Sequence, residues 1–366
     1  MPTRDPLPTE PLWTGRDGLV DLTRGVVRGS SGWSWGPRTR GDAEVERTPR
    51  GAERVRGPRF DRGVAPGGYS WWYLDALSDD GRHGLTIIAF VGSVFSPYYA
   101  RARARSRWRM ADPLEHCAIN VAIYGPRADA WVMSEYGPAE VERAADRFQV
   151  GRSSMAWEGD CLVVRFDERT PVLGQRVAGV VRLYPSALPA APVHIDSRGR
   201  HTWWGVAPHA RVEAELTHPA LRLRGTGYHD ANCGEEPLEA AFLDWNWSRA
   251  SLPDRATVLY DARRVDGSAL QLGRVFHADG RVESLVAPRL VELGRTRWLL
   301  PRSTRTDGAE AKVVRTLEDT PFYARSELRT SLGGQRMAAV HESLSLGRFC
   351  SPVVQTLLPF RIRRGG

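Results

Sequence analysis

Lysine is almost missing from this sequence. Lys312 is the single one, and the rest of its 51 lysines and arginines are arginine. Against 43 acidic residues this leaves a formal charge of +8, which suits a solvated surface, anionic lipid or nucleic acid. No zinc-finger spacing, RNA-recognition signature or Arg-rich helix accompanies the charge, so no nucleic-acid partner is expected. Cysteine is scarce as well. Cys117, Cys161, Cys233 and Cys350 lie far apart without a C-x-x-C pair, which argues against a disulfide scaffold and a thiolate zinc site. They are expected to be free thiols, as is usual inside cells. His83, His116 and His341 are scattered, and no H-x-H or H-x3-H pair supports a metal. A G-x-G-x-x-G turn between strand and helix is missing, and GSVFSP, which holds Ser93 and Ser96, lacks the G-x-S-x-G elbow of a hydrolase. No cofactor and no metal are therefore expected. Long apolar runs are missing too: the most apolar window, Leu85–Phe95, is about half what a membrane helix needs. The first residues, MPTRDPLPTEPLW, have no apolar core of the secretory kind. A soluble or peripheral protein is the expectation.

What the sequence has instead is β-forming segments at short, even spacing. A length of 366 residues suggests two domains, each able to bury its own core. Residues 1–62, rich in Gly, Pro and Arg and without a lasting period, read as an extended arm. From Gly67 the pattern changes. Tyr69–Leu77 is dense in aromatics, Ser78–Gly81 reads as a turn, and Gly84–Val94 is apolar and β-branched, a hairpin pattern. Alternation along the first strand puts Tyr69, Trp71, Tyr73 and Asp75 on one face. Asp75 then either pairs with an arginine or lines a pocket. Further strands are expected at Ala118–Tyr124, Ala130–Tyr136, Arg147–Val150, Ser154–Glu158, Cys161–Glu168 and Val177–Tyr184. Pro185–Pro192 reads as a linker, and His201–Trp204 opens a return stretch. Beyond Asp254, strands are expected at 256–264, 268–276, 281–286, 297–300, 312–318, 322–330 and 336–346. No long helix and no repeat of fixed period is visible. The fold class is all-β: two antiparallel barrel or sandwich domains, residues 63–234 and 235–366, divided near Gly234.

Chemistry-bearing residues concentrate between Gly225 and Gly267. Tyr228, His229, Asp230 and Asn232 form a polar knot beside Gly227 and Gly234. Phe242, Trp245 and Trp247 follow as an aromatic ladder, in which Trp245 and Trp247 share a strand face. Each indole is either a cation–π face, worth about 2 kcal/mol in a dry pocket, or core packing. The strand Ala256–Tyr260 ends on Asp261, a carboxylate among apolar neighbours. Burial disfavours a charged carboxylate by up to about 3–5 pKa units, so such an acid holds a proton that it can give to a weak base. Tyr260 adjoins it, but alternation points the two to opposite faces unless a bulge intervenes.

Several blocks in order carry a resemblance: GGYSWWYLDALSDDGRHGLTIIAFVGSVFSPYYARAR from Gly67, DPLEHCAINVAIYGP from Asp112, GYHDANCG from Gly227, DWNWSRA from Asp244, VLYDARRVDG from Val258 and VHESLSLGRFCSPVVQTLLPFRIRR from Val340. Together they resemble the carotenoid 1,2-hydratase (hydroxyneurosporene synthase) family from about Gly67 to the end. The resemblance implies two lipocalin-like β-barrels and cofactor-free, acid-catalysed addition of water to the terminal C1–C2 double bond of a neurosporene- or lycopene-type polyene. It implies Asp261 as proton donor, with Tyr260 and His229 as its catalytic partners. Asp230, Asn232, Trp245, Trp247, Trp71 and Tyr73 are then assigned to the substrate. In the family the knot reads Tyr-x-Asp-His-Asn-Trp-Gly, with His and Trp at the site; Ala231 and Cys233 stand in those places here. The implied partners are a long acyclic carotenoid and an anionic membrane surface, and the implied location is cytoplasmic, peripheral to the inner photosynthetic membrane. Three rivals stay open: a polyene cyclase or isomerase, a non-catalytic carotenoid carrier, and a carbohydrate-binding protein that stacks sugars on some of the 13 tryptophans.

Overall fold

The computed structural model describes residues 57–105, 111–189, 191–308 and 310–365. These residues belong to one compact unit, residues 40–366. The arm expected over residues 1–62 lies outside the described residues except for its end. There Phe60 is fully buried against Trp72, and Arg143 donates to the carbonyls of Phe60 and Arg62.

The first sheet opens with β1 (Tyr69–Ser78), β2 (Gly84–Val91), β3 (Cys117–Tyr124) and β4 (Ala130–Tyr136). It continues through β5 (Val141–Arg143), β6 (Arg147–Val150), β7 (Ser153–Glu158), β8 (Cys161–Arg169) and β9 (Arg176–Pro185). The short β10 (Val193–His194) precedes two long strands, β11 (His201–His218) and β12 (Ala220–Gly234). Across this sheet β4-β3-β2-β1 pair in turn, β12 closes on β1, and β11-β9-β8-β7-β6-β5 follow. The chain then changes sheets between Gly234 and Phe242.

The second sheet uses β13 (Phe242–Ser251), β14 (Arg255–Arg264), β15 (Ala269–His277) and β16 (Val282–Ser284). After the separate hairpin β17 (Leu290–Arg295) and β18 (Pro301–Arg305) come β19 (Lys312–Asp319), β20 (Tyr323–Leu332) and β21 (Gln335–Ser345). Its order is β16-β15-β14-β13-β21-β20-β19. Three short helices, α1 (Pro97–Arg105), α2 (Leu346–Phe349) and α3 (Pro352–Leu357), complete the elements used below. The last strand, β22 (Arg363–Arg364), returns to the first sheet and pairs in parallel with β4.

The all-β class expected from the sequence is what the chain adopts. Local departures have local causes. α1 was not expected, yet Ser96 Oγ accepts from the N–H groups of Tyr98 and Tyr99, and Pro97 supplies the preset φ of a first helical residue. Residues 297–300, expected as a strand, form a turn between β17 and β18.

The core has separate compartments. Trp72, Leu74 and Ala76 of β1 face inward on the curled first sheet, with Phe148, Val164 and Ala231. Tyr69, Trp71 and Tyr73 face the other way, toward Phe242, Trp245, Trp247 and Tyr260 of the second sheet. β1 is therefore buried on both faces, which is why aromatics occupy both parities of its sequence.

Candidate active site

Between the two sheets lies an apolar cavity of about 390 Å³, within the usual range for a small-molecule site. Trp71 and Tyr73 of β1, Asp230 and Asn232 of β12, Trp245 and Trp247 of β13 and Tyr260 of β14 line its inner end. All of these side chains are buried. The other end is lined by Trp298, Leu357 and Phe360, which are exposed. It is thus a blind pocket, closed among aromatics and open beside α3.

Asp230 is the carboxyl at the blind end, and it is 5% exposed. Its Oδ2 accepts from Tyr228 Oη at 2.7 Å and from Trp203 Nε1 at 2.9 Å. Oδ1 has no partner. Burial pushes the pKa up to about 7, although both donors oppose the rise. With Oδ2 committed to two donors, the proton of the neutral acid belongs on Oδ1. Gly205 on β11 lies beside Asp230 in the ladder, and a Cβ there would meet the Trp203 ring at 3.3 Å and Phe276 at 3.1 Å. The bare glycine leaves Trp203 room to swing its indole onto the carboxylate. Burial also raises the Tyr228 hydroxyl well above its ordinary value, so it stays a donor.

Two further polar atoms at this end are buried without partners, Asn232 Nδ2 and Trp247 Nε1. Buried polar groups are seldom left unsatisfied, so they mark a place for a polar guest such as water. The aromatic faces are close-set: Trp245 lies 5.9 Å from Tyr260 and 6.5 Å from Trp71, and Trp247 lies 5.1 Å from Tyr228. A cation formed here would meet several π faces in a dry setting.

The structure divides the residues singled out from sequence. Trp71, Tyr73, Asp230, Asn232, Trp245, Trp247 and Tyr260 all line the cavity. Asp261 does not. It projects from the opposite face of β14, where Arg305 Nε contacts both carboxylate oxygens at 2.8 and 3.0 Å. Strand alternation is the reason: Tyr260 takes the inner face and its neighbour must take the outer one. His229 is also turned away. Its Nδ1 bonds the Tyr73 carbonyl at 2.8 Å, its ring lies 6.0 Å from Trp157, and burial lowers its pKa to about 4. Ala231 shares that parity and belongs to the core of the first sheet. Cys233 has the same parity, so the two departures from the family knot do not line the cavity.

Other contributors were missed. The sequence pattern does not single out Trp203 on β11, which donates to Asp230, or Glu342 on β21. Glu342 lines the cavity and accepts from Tyr73 Oη at 2.8 Å while paired with Arg325. Arg325 and Arg249 also clasp Asp75, at 2.9 and 2.5 Å, so Asp75 is the paired acid of β1. The pattern Tyr228, Asp230, Asn232, polar at every second residue, was a legible signal for one polar strand face. Nothing in sequence could say that this face meets the second sheet. Among the described residues no group of three or more His, Cys, Asp or Glu gathers as metal ligands would.

Comparison with known proteins gives the family. The family model for the carotenoid hydratase CrtC matches residues 87–366. The acyclic carotenoid 1,2-hydratase of Thiocapsa roseopersicina is 48% identical, with 98% of this chain and 90% of that protein covered. The enzyme of the same description from Rubrivivax gelatinosus is 47% identical, over 84% of this chain and 76% of that one. A solved structure, the AttH candidate of Nitrosomonas europaea, shares the fold at a TM-score of 0.55 and 15% identity, covering 81% of this chain and 97% of its own. With the family model matching residues 87–366 and a relative 48% identical over 98% of this chain, the chain belongs to the carotenoid hydratase CrtC family.

Proposed function

We propose that this enzyme adds water across the terminal C1–C2 double bond of an acyclic carotenoid, with Asp230 as the acid. The reading rests on the placement of Asp230 above all: a carboxyl at the blind end of an apolar pocket, its pKa raised by burial to about 7, one oxygen locked by Tyr228 and Trp203 and the other unpartnered. The hydrocarbon enters end-first. Asp230 Oδ1–H protonates C2, and the positive charge falls on the tertiary C1. The faces of Trp71, Trp245, Trp247 and Tyr260 stabilise that cation. Water held at Asn232 attacks C1, the oxonium loses a proton to the Asp230 carboxylate, and the acid is restored. All protons balance, and no other group is consumed.

Asp230→Asn tests the reading. The amide keeps the shape, presents its oxygen to Tyr228 and Trp203, and has no acid proton. Hydration of lycopene or neurosporene in detergent is expected to fall by at least about 10²-fold, the low end for general acid catalysis. Asp261→Asn, outside the cavity, is expected to stay within a few-fold of the parent. The opposite ranking of the two variants would return the acid role to Asp261.

The substrate also bears on location. No helix among the described residues is long and apolar enough to cross a membrane. A carotenoid resides in a bilayer, so the protein is read as working at a membrane surface from the cytoplasmic side.

A further inference from the structure

Apolar side chains stand exposed at the cavity mouth. Two separate segments expose large apolar side chains there: Trp298 and Leu299 at the turn between β17 and β18, and Val353, Leu357 and Phe360 on and after α3. These five are between 48% and 70% exposed. Val353 and Leu357 are one helical turn apart and share a face. Trp298, Leu357 and Phe360 also line the cavity, so the patch and the pocket are continuous.

The turn is held in an unusual shape. Leu299 has φ +58°, a left-handed conformation that bulky residues rarely adopt. Arg348 fixes it: its guanidinium donates to the carbonyls of Trp298 at 2.7 Å and Leu299 at 3.0 Å, tying the turn to α2 just before α3. Strain kept at an exposed Trp-Leu tip points to a use for that tip. Basic groups rim the same end. Arg361 stacks over Trp131 at 4.1 Å, Arg364 lies over Tyr98 at 4.9 Å, and Arg363 is exposed between them. Arg361 lies 3.8 Å from the partly buried Glu318 and Arg364 3.5 Å from the fully buried Glu135, and both arginines stay about half exposed.

We infer that this patch is the membrane-docking surface, seating Trp298, Leu299, Val353, Leu357 and Phe360 in the headgroup boundary of an anionic bilayer so that a polyene passes straight into the cavity. Apolar area and arginines together are what interfacial binding requires. The inference rests on the carotenoid reading for its cargo, but the surface can be tested without any substrate. The aromatic segment before and along α1 does not serve in its place, because Val94 and Tyr99 are buried in the core.

The test uses the full chain and the double variant Leu299→Asp/Val353→Glu. Neither residue lines the cavity, and aspartate tolerates a left-handed backbone better than leucine does. Co-sedimentation is measured with phosphatidylcholine vesicles containing 30% phosphatidylglycerol, and with phosphatidylcholine alone. Parent protein is expected to pellet with the anionic vesicles and less with the neutral ones. The variant is expected to bind at least about tenfold more weakly, to hydrate vesicle-borne lycopene correspondingly more slowly, and to keep its rate on lycopene in detergent. Equal pelleting of parent and variant, or no pelleting of the parent, would overturn the inference. So would a parent dimer in light scattering that the variant splits, because the patch would then be a contact between copies. Loss of the detergent rate by Asp230→Asn is read separately, so either proposal can fail alone.

Discussion

Asp230 carries two predictions, one for rate and one for stability. Its pKa near 7 sets the rate profile: the protonated acid is the active form, so hydration is expected to be flat below about pH 6 and to fall as pH rises through 7. A rate in detergent that climbs through this range would mean that Asp230 works as a carboxylate instead. The stability effect has a definite sign. The folded pKa lies above the ordinary carboxylate value of 3.8, so the contribution of the protonated group is complete below about pH 4 and is lost as pH rises to about 7. At pH 8 the folded protein must hold a buried charge, a cost of at most about 4 kcal/mol. Asp230→Asn never charges. It is therefore expected to unfold at a higher temperature than the parent at pH 8, with the gap closing toward pH 4, as scanning calorimetry at the two pH values would show.

Strand parity on β12 governs what neighbouring positions can do. Tyr228, Asp230 and Asn232 point to the cavity side, while His229 and Ala231 point into the first sheet's core. Ala231 sits across from Trp72 on one side and Trp204 on the other. Supplying the family's histidine by Ala231→His is therefore expected to overpack that core, at about 1–3 kcal/mol of stability, with no gain in turnover. One residue along, Asn232→Ala is expected to leave the unfolding midpoint nearly unchanged and to slow hydration by about 10- to 10²-fold, the scale of a misplaced reactant. Thermal midpoints and product yields measured on both variants separate the two faces. A faster Ala231→His enzyme would show that position 231 reaches the reacting end after all.

The whole molecule is joined by a buried ion cluster. Asp75 comes from the first sheet; Arg249, Arg325 and Glu342 come from the second, giving two negative and two positive charges with Tyr73 hydrogen-bonded among them. Removing one partner from such a cluster leaves a buried charge uncompensated, typically at about 3–5 kcal/mol. Asp75→Asn is expected to lower the unfolding free energy by that amount, read as a fall in the denaturant midpoint at unchanged slope. An unchanged midpoint would mean that apolar packing alone holds the sheets together.

Composition, periodicity and turn chemistry, all local properties, were enough to establish an all-β chain, most of its strands, and several of the aromatic and polar residues that line the pocket. Alternation even made the opposition of Tyr260 and Asp261 readable in advance. What no local pattern could decide was which parity faces the second sheet, because β1 and β12 are buried on both sides and both parities look like core. That choice is made by packing between the sheets: β13 and β14 cover the face of Asp230, whereas Arg305 and the first sheet's core claim Asp261 and His229. An acid's role follows from what surrounds it, and here tertiary packing supplied the surroundings.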